Sequence, residues 1–144
     1  MFKNIQRLIE IYAEREIVEI EMFYNKLQQV LNKVKKKVFI MFMGNFNARF
    51  GNTKVEQCIN RFSEQAHNQN GACLIVAVLY NQLKVMNKFF SYKDSHKFTW
   101  NASGSKSIID YMVCNNKLAE LVLDTRVFRG PELETDHYLL VCPI

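Results

Sequence analysis

Apolar positions along the chain fall into two kinds of pattern. Between Arg15 and Lys37, Ile20, Phe23, Leu27, Val30, Leu31 and Val34 recur at three- and four-residue steps, which places them on one helical face. Glu16, Glu19 and Glu21 near its start and Lys33, Lys35, Lys36 and Lys37 near its end suit the helix dipole. A solvated face accounts for that lysine run better than a phosphate-binding patch. Residues 5–13 read either way: Ile9, Ile11 and Ala13 alternate as in a strand, whereas Ile5, Leu8, Ile9 and Tyr12 fit a helix. Val38 to Met43 is a short unbroken apolar run that stops at Gly44, which predicts a buried strand feeding a loop. That loop, from Gly44 to Asn52, gathers Gly and Asn, residues that tolerate left-handed backbone and turn sharply.

Asn70-Gly71 is a turn signal, and the apolar run behind it predicts a helix from Ala72 to Asn81 opened by Gly71. Lys84 to Phe90, Lys97 to Trp100 and Ile108 to Cys114 read as strands separated by polar loops. A short helix over Asn116–Val122 precedes a last segment, Asp136 to Val141. No internal repeat occurs. Helices alternate with strands that look antiparallel late in the chain, so the fold class is α+β.

Composition narrows the class. The chain has 144 residues, 49% hydrophobic and 23% charged, with 5 Gly and 2 Pro, which fits one domain with a packed core and excludes low-complexity or disordered sequence. Its longest apolar runs, Val38–Met43 and Ala72–Tyr80, are too short to span a bilayer. Lys3, Arg7 and Glu10 interrupt any leader, so an intracellular location, nucleus or cytoplasm, is expected. A net charge of +5 fits weak attraction to a polyanion. Cys58, Cys73, Cys114 and Cys142 form no CxxC pair and read as reduced thiols that fill core, with Cys73 and Cys142 in apolar surroundings.

Polar clusters punctuate the apolar runs: Asn45 with Asn47, Thr99 with Trp100, Asp110, and Asp136 with His137. An Asn-rich loop is by itself a turn. Asp110 is less bland, because it stands among Ile108, Ile109, Tyr111, Met112 and Val113, where a charge needs a partner. His137 can be that partner, either as a satisfied core pair or as an imidazole oriented toward phosphate oxygens.

The order of these clusters carries a resemblance. Met43-Gly44-Asn45-Phe46-Asn47-Ala48, then Thr99-Trp100, Ile109-Asp110-Tyr111 and Thr135-Asp136-His137 resemble the later half of the endonuclease/exonuclease/phosphatase superfamily, the DNase I-like fold. Within it the sequence is most similar to endonuclease domains of non-LTR retrotransposons and to craniofacial development protein 2-like proteins. Phe23-Tyr24 with Leu27-Gln28, Asn68 to Gly71 and Arg126 to Gly130 extend the likeness, which covers about 11–144. It implies a two-sheet β-sandwich flanked by helices, with the upstream half of the domain missing, and a Mg²⁺- or Mn²⁺-dependent phosphodiesterase acting on DNA. Carried onto this chain, Asn47 would hold a phosphate oxygen and His137, held by Asp110, would bind the phosphate. Asp136 would lie by the metal, and Trp100 and Arg49 would contact nucleic acid.

The chain departs from that pattern where it matters most. The family motif is Gly-Asp-Phe-Asn, and position 45 is Asn, which cannot accept a proton from water. The upstream half that supplies an Asn and the metal-holding Glu has no counterpart, and neither Glu10 nor Glu14 falls in a matching motif. This copy is therefore expected to be weak or inactive. The alternatives are a non-catalytic nucleic-acid-binding remnant and a fragment without function. The remnant draws on Lys84, Lys88, Lys93, Lys97 and Lys106 interleaved with Phe89, Phe90, Tyr92, Phe98 and Trp100, although the phenylalanines read equally as core and the lysines as a solvated face. Half a sandwich also predicts an uncovered inner sheet face, marginal stability and self-association through that face.

Overall fold

The computed structural model describes the backbone of residues 5–12, and residues 16–35, 37–52, 54–55, 58–59, 64–129 and 135–144. In chain order the elements are β1 (Ile5–Tyr12), α1 (Ile17–Asn32), β2 (Phe39–Asn45), α2 (Gln69–Tyr80), β3 (Leu83–Val85), β4 (Trp100–Ala102), β5 (Ser105–Ser107), β6 (Asp110–Asn115), α3 (Asn116–Ala119), β7 (Arg126–Phe128) and β8 (Leu139–Val141). Residues 5–12, ambiguous in pattern, are a strand. It pairs in parallel with β2, and the main sheet runs β1-β2-β6-β3, with β6 antiparallel to both neighbours. β4 with β5 and β7 with β8 form two antiparallel ribbons.

β2 and β6 read as unbroken apolar runs because both of their faces are covered. Phe42, Tyr111 and Val113 face Leu27 and Leu31 of α1 and Leu74 and Val78 of α2. Met41, Met112 and Cys114 face the other way, under Leu118, Leu140, Cys142 and Ile144. The uncovered inner face expected of half a sandwich is therefore absent from these two strands: α3 and the chain's last residues close it, and self-association through a bare face loses its physical basis. Apolar exposure lies elsewhere, at Leu121, Leu123, Phe128 and Leu139 and on the outer sides of the helices.

Several boundaries differ from the pattern. α1 stops at Asn32, so its last turn holds no basic residue and the lysines lie beyond it. A run of like charges disfavours another turn, and the chain must bend there to enter β2. Ala13, Glu14, Arg15, Lys36 and Gly130 are outside the described residues. α2 begins three residues before Ala72, because the Asn68 side chain accepts from Gly71 N and caps the helix better than a glycine can. β3 ends at Val85 instead of continuing to Phe90, and a 3-10 turn, Met86–Lys88, follows. Asn87 takes over the ladder there: its Oδ1 accepts from Met112 N at 2.9 Å and its Nδ2 donates to Asp110 O at 2.9 Å. β4 begins only at Trp100, after a 3-10 turn at Asp94–His96. α3 is a single turn that stops at Ala119 rather than Val122, and the final strand holds only Leu139–Val141 of the segment expected from Asp136. β5 and β7 carry too few residues for any alternation to register.

The fully buried thiols are Cys58 and Cys114, while Cys73 and Cys142 are half-buried; all four are free. Among the described residues no helix is long and apolar enough to cross a membrane.

Candidate active site

The sheet delivers its polar residues to one end. β2 ends at Asn45 and β6 begins at Asp110, and the two are direct cross-strand partners. Side chains alternate along a strand, so both leave the sheet on the face that carries Met43 and Met112. Gly44, at φ +140, occupies backbone that side-chain-bearing residues rarely adopt. Asn45 Oδ1 then accepts from Asn47 N at 2.7 Å, an Asx turn that reverses the chain, and Asn47 sits at φ +47. The short amides read from sequence as turn formers do that work here.

A second layer holds the loop in place. Asn68 Oδ1 accepts from Arg49 N at 2.9 Å, its Nδ2 donates to Asn47 O at 2.6 Å, and its own N–H donates to Arg49 O at 3.1 Å. Gly71 packs so closely on this loop that an added Cβ would lie 2.0 Å from Arg49 O. Tyr111, buried beside Phe46 and Phe50, sets its hydroxyl 2.9 Å from Ala48 O and 2.5 Å from Ile108 O. Burial raises its phenol well above the ordinary range.

The carboxylates and the imidazole enter from two other segments. His137 Nδ1 lies 3.0 and 3.1 Å from the Asp110 oxygens, so Asp110 fixes the ring and its tautomer. His137 bridges to Trp100 of β4, and Asn101 N donates to Asp136 O. Trp100 Nε1 donates to Asp136 Oδ2 at 2.6 Å, and Asp136 Oδ1 is 3.9 Å from His137 Nε2. Thr99, fully buried, accepts at Oγ1 from both Ile109 N and Asp110 N, at 3.0 and 3.1 Å, and so fixes where β6 starts. Beside this lies a cleft of about 480 Å³ that Asn47, Arg49, His67, Asn68, Gln69 and Trp100 help to line.

Every residue singled out from sequence thus sits at this end: Asn45, Asn47, Asp110, Asp136 and His137 together, with Trp100 joined to Asp136 and Arg49 across the cleft, 3.9 Å from Glu64. Thr99 stood in one of the sequence clusters without a role. Asn68 stood in a stretch that extends the resemblance but carried no role, and Asn87 fell inside the segment that reads as a strand. Lys88 corrects the lysine-aromatic stretch: it is fully buried, with its Nζ 5.5 Å from the Phe50 ring and 5.3 Å from the Tyr111 ring, and cannot reach a nucleic acid. Desolvation lowers its ammonium to about 7, opposed by Glu64 and assisted by Lys97.

The resemblance implies a divalent ion at this end of the sheet, and the side chains here are already engaged. Asp110 is committed to His137, one oxygen of Asp136 is committed to Trp100, and the Asn45 carbonyl oxygen is committed to Asn47 N. Among the described residues no three His, Cys, Asp or Glu side chains converge. Mg²⁺ takes six oxygens, one or two of them from carboxylates, and these residues do not make such a cage.

The sequence pattern of the family described as "Endonuclease-reverse transcriptase" matches residues 6–141. The chain is 27% identical over 139 residues to craniofacial development protein 2 of Bos taurus, covering 93% of this chain and 24% of that protein, so it spans about a quarter of the relative's length. It is similar in structure to the endonuclease domain of TRAS1, a telomere-specific non-LTR retrotransposon, with a TM-score of 0.63, 19% identity and coverage of 94% of this chain and 54% of that one. It is also similar to the 3′ phosphatase NExo from Neisseria bound to a product DNA hairpin, with a TM-score of 0.65, 16% identity and coverage of 94% and 59%. These neighbours fix the DNase I-like α+β fold.

Proposed function

Because the chain belongs to the endonuclease–reverse transcriptase family, we propose that the Asp110–His137 end of the sheet engages a phosphodiester of DNA and hydrolyses it far more slowly than a family member with aspartate at position 45. The observation that carries this is the register: Asn45 lies directly across from Asp110, which holds His137 at 3.0 Å. The protonated ring presents Nε2–H to a phosphate oxygen while Asp110 keeps it from rotating. Trp100 pins the Asp136 carboxylate and forms the wall next to the cleft, and the Asn47 amide serves as a phosphate contact. What is lost is the base. An amide at position 45 keeps the Asx turn but cannot accept a proton from the attacking water, a contribution of about 10²–10⁴ in rate.

A bound divalent ion supplies charge neutralisation on the phosphate in such chemistry; the described residues do not assemble its cage, and no step above runs through it. That no such group converges among the described residues favours one further reading, a remnant that binds DNA without cleaving it.

Nicking of supercoiled plasmid in Mg²⁺, with an EDTA control, separates the two. Wild type should stay near background. Asn45→Asp should raise nicking by about 10²-fold or more, and adding His137→Ala or Asp136→Ala should abolish the gain. Rapid nicking by wild type, or a gain in Asn45→Asp that survives His137→Ala, would overturn the assignment. No nicking by any variant leaves the binding remnant.

A further inference from the structure

The two segments that meet at the Trp100–His137 bridge also build a second constellation one residue along. Asn101 Nδ2 donates to the Tyr138 hydroxyl at 3.1 Å. The Arg129 guanidinium, at the end of β7, lies over the Tyr138 ring with its Cζ 3.9 Å from the centroid, and its Nε donates to Ser95 O at 2.5 Å. Stacking and that bond together fix the plane of the guanidinium while the group stays exposed. Lys106, exposed on β5, is the direct cross-strand partner of Asn101. The amide of Asn101, and then the charges of Arg129 and Lys106, hold that phenol below its ordinary range. Among the described residues neither cation has an ion-pair partner.

An arginine held flat and an exposed lysine, continuous with a phosphate-handling site, match a regularly spaced row of phosphates. We propose that Arg129, Tyr138 and Lys106 form a backbone-binding patch that extends the site along duplex DNA. The patch rests on the functional reading above, but its work is binding and owes nothing to hydrolysis. Tyr138 is a positioning residue: it carries the guanidinium on its ring. The patch contributes affinity without sequence preference, because phosphate contacts carry no base information.

The test is affinity of the full chain for a duplex oligonucleotide in EDTA, measured from 50 to 300 mM salt. Each lost phosphate contact should lower the slope of log affinity against log salt by about 0.9 and weaken binding by about fivefold at 0.15 M. Arg129→Ala and Lys106→Ala should each show this, the double variant should show both losses, and Arg129→Lys should recover most of the slope. Lys33→Ala, beyond the far end of α1, should change nothing. Equal slopes for wild type and the double variant, or an equal loss from Lys33→Ala, would overturn the patch alone. Wild type without salt-dependent affinity for the duplex would overturn both the patch and the reading it rests on. If the slope falls as expected but Asn45→Asp does not nick, the patch stands and the hydrolytic reading falls.

Discussion

Replacing Lys88 with methionine should change the protein's stability by an amount that depends on pH in a defined way. The Lys88 side chain is fully buried between Phe50 and Tyr111. The fall of its ammonium from 10.5 to about 7 corresponds to about 4–5 kcal/mol carried by the charged form. The unfolded chain keeps this proton up to about pH 10.5, whereas the folded chain releases it near 7. Between those values the unfolded state binds more protons, so the contribution of Lys88 to stability rises with pH by about 1.4 kcal/mol per unit. Below pH 7 both states are protonated and the full cost is present. Methionine keeps the length of the stem and removes the charge. It also gives up the ammonium's contacts, the two rings among them, and leaves the mostly buried Glu64 with Arg49, 3.9 Å away, as its cation, so the burial cost is read from how the difference changes with pH rather than from its size at one pH. Urea unfolding of both proteins at pH 6, 7, 8 and 9 measures it. The stability of the variant relative to wild type should be highest at pH 6 and 7 and fall steadily toward pH 9. A relative stability that does not change with pH, or that rises toward pH 9, would refute the reasoning.

Other expectations follow from the same contacts. Gly71→Ala forces a Cβ to within 2.0 Å of Arg49 O, so it should cost at least about 3 kcal/mol in thermal or urea unfolding; an unchanged melting temperature would mean that α2 does not press on the loop. Thr99→Val matches the volume but leaves Ile109 N and Asp110 N without their acceptor, a loss of about 2–5 kcal/mol that should appear in urea unfolding; a loss under about 1 kcal/mol would argue against Thr99 fixing the start of β6. Burial, with Cys142 adding to it and Lys84 opposing it, pushes the Cys114 thiol up to about 12. Native protein at pH 8 should therefore react with a disulfide reagent at Cys73 well before Cys114, as mass mapping of the labelled peptides would read, and labelling of Cys114 at the rate seen in urea would contradict its burial.

What the sequence discloses follows from how local each signal is. β2 and β6 were legible because a strand buried on both faces leaves an unbroken apolar run, and Val38–Met43 and Ile108–Cys114 are such runs. The Asp110–His137 pair was legible for a different reason: a carboxylate inside an apolar strand demands a partner, and His137 was a fitting candidate. Lys88 was not, because nothing in a lysine between Asn87 and Phe89 announces that Phe50 and Tyr111 will close over it. The roles of Asn68 and Asn87 stayed hidden for a related reason. Each replaces a missing backbone partner for a segment 19 to 25 residues away, and that need exists only once the tertiary structure has formed. The end of α1 was misplaced because the lysine run suits a helix C-terminus as well as a bend.

The Asx turn at position 45 has a consequence for how this site can change over generations. Aspartate and asparagine offer the same oxygen to Asn47 N, so exchanging one for the other leaves the loop folded. They differ in charge and in proton transfer, not in that bond. Selection for this turn is therefore blind to the exchange, and one base change can move the position in either direction while the turn keeps its bond. A lineage in which the chemistry is no longer selected can keep the shape of the site indefinitely. By the same route, a silent copy stays one substitution away from a carboxylate.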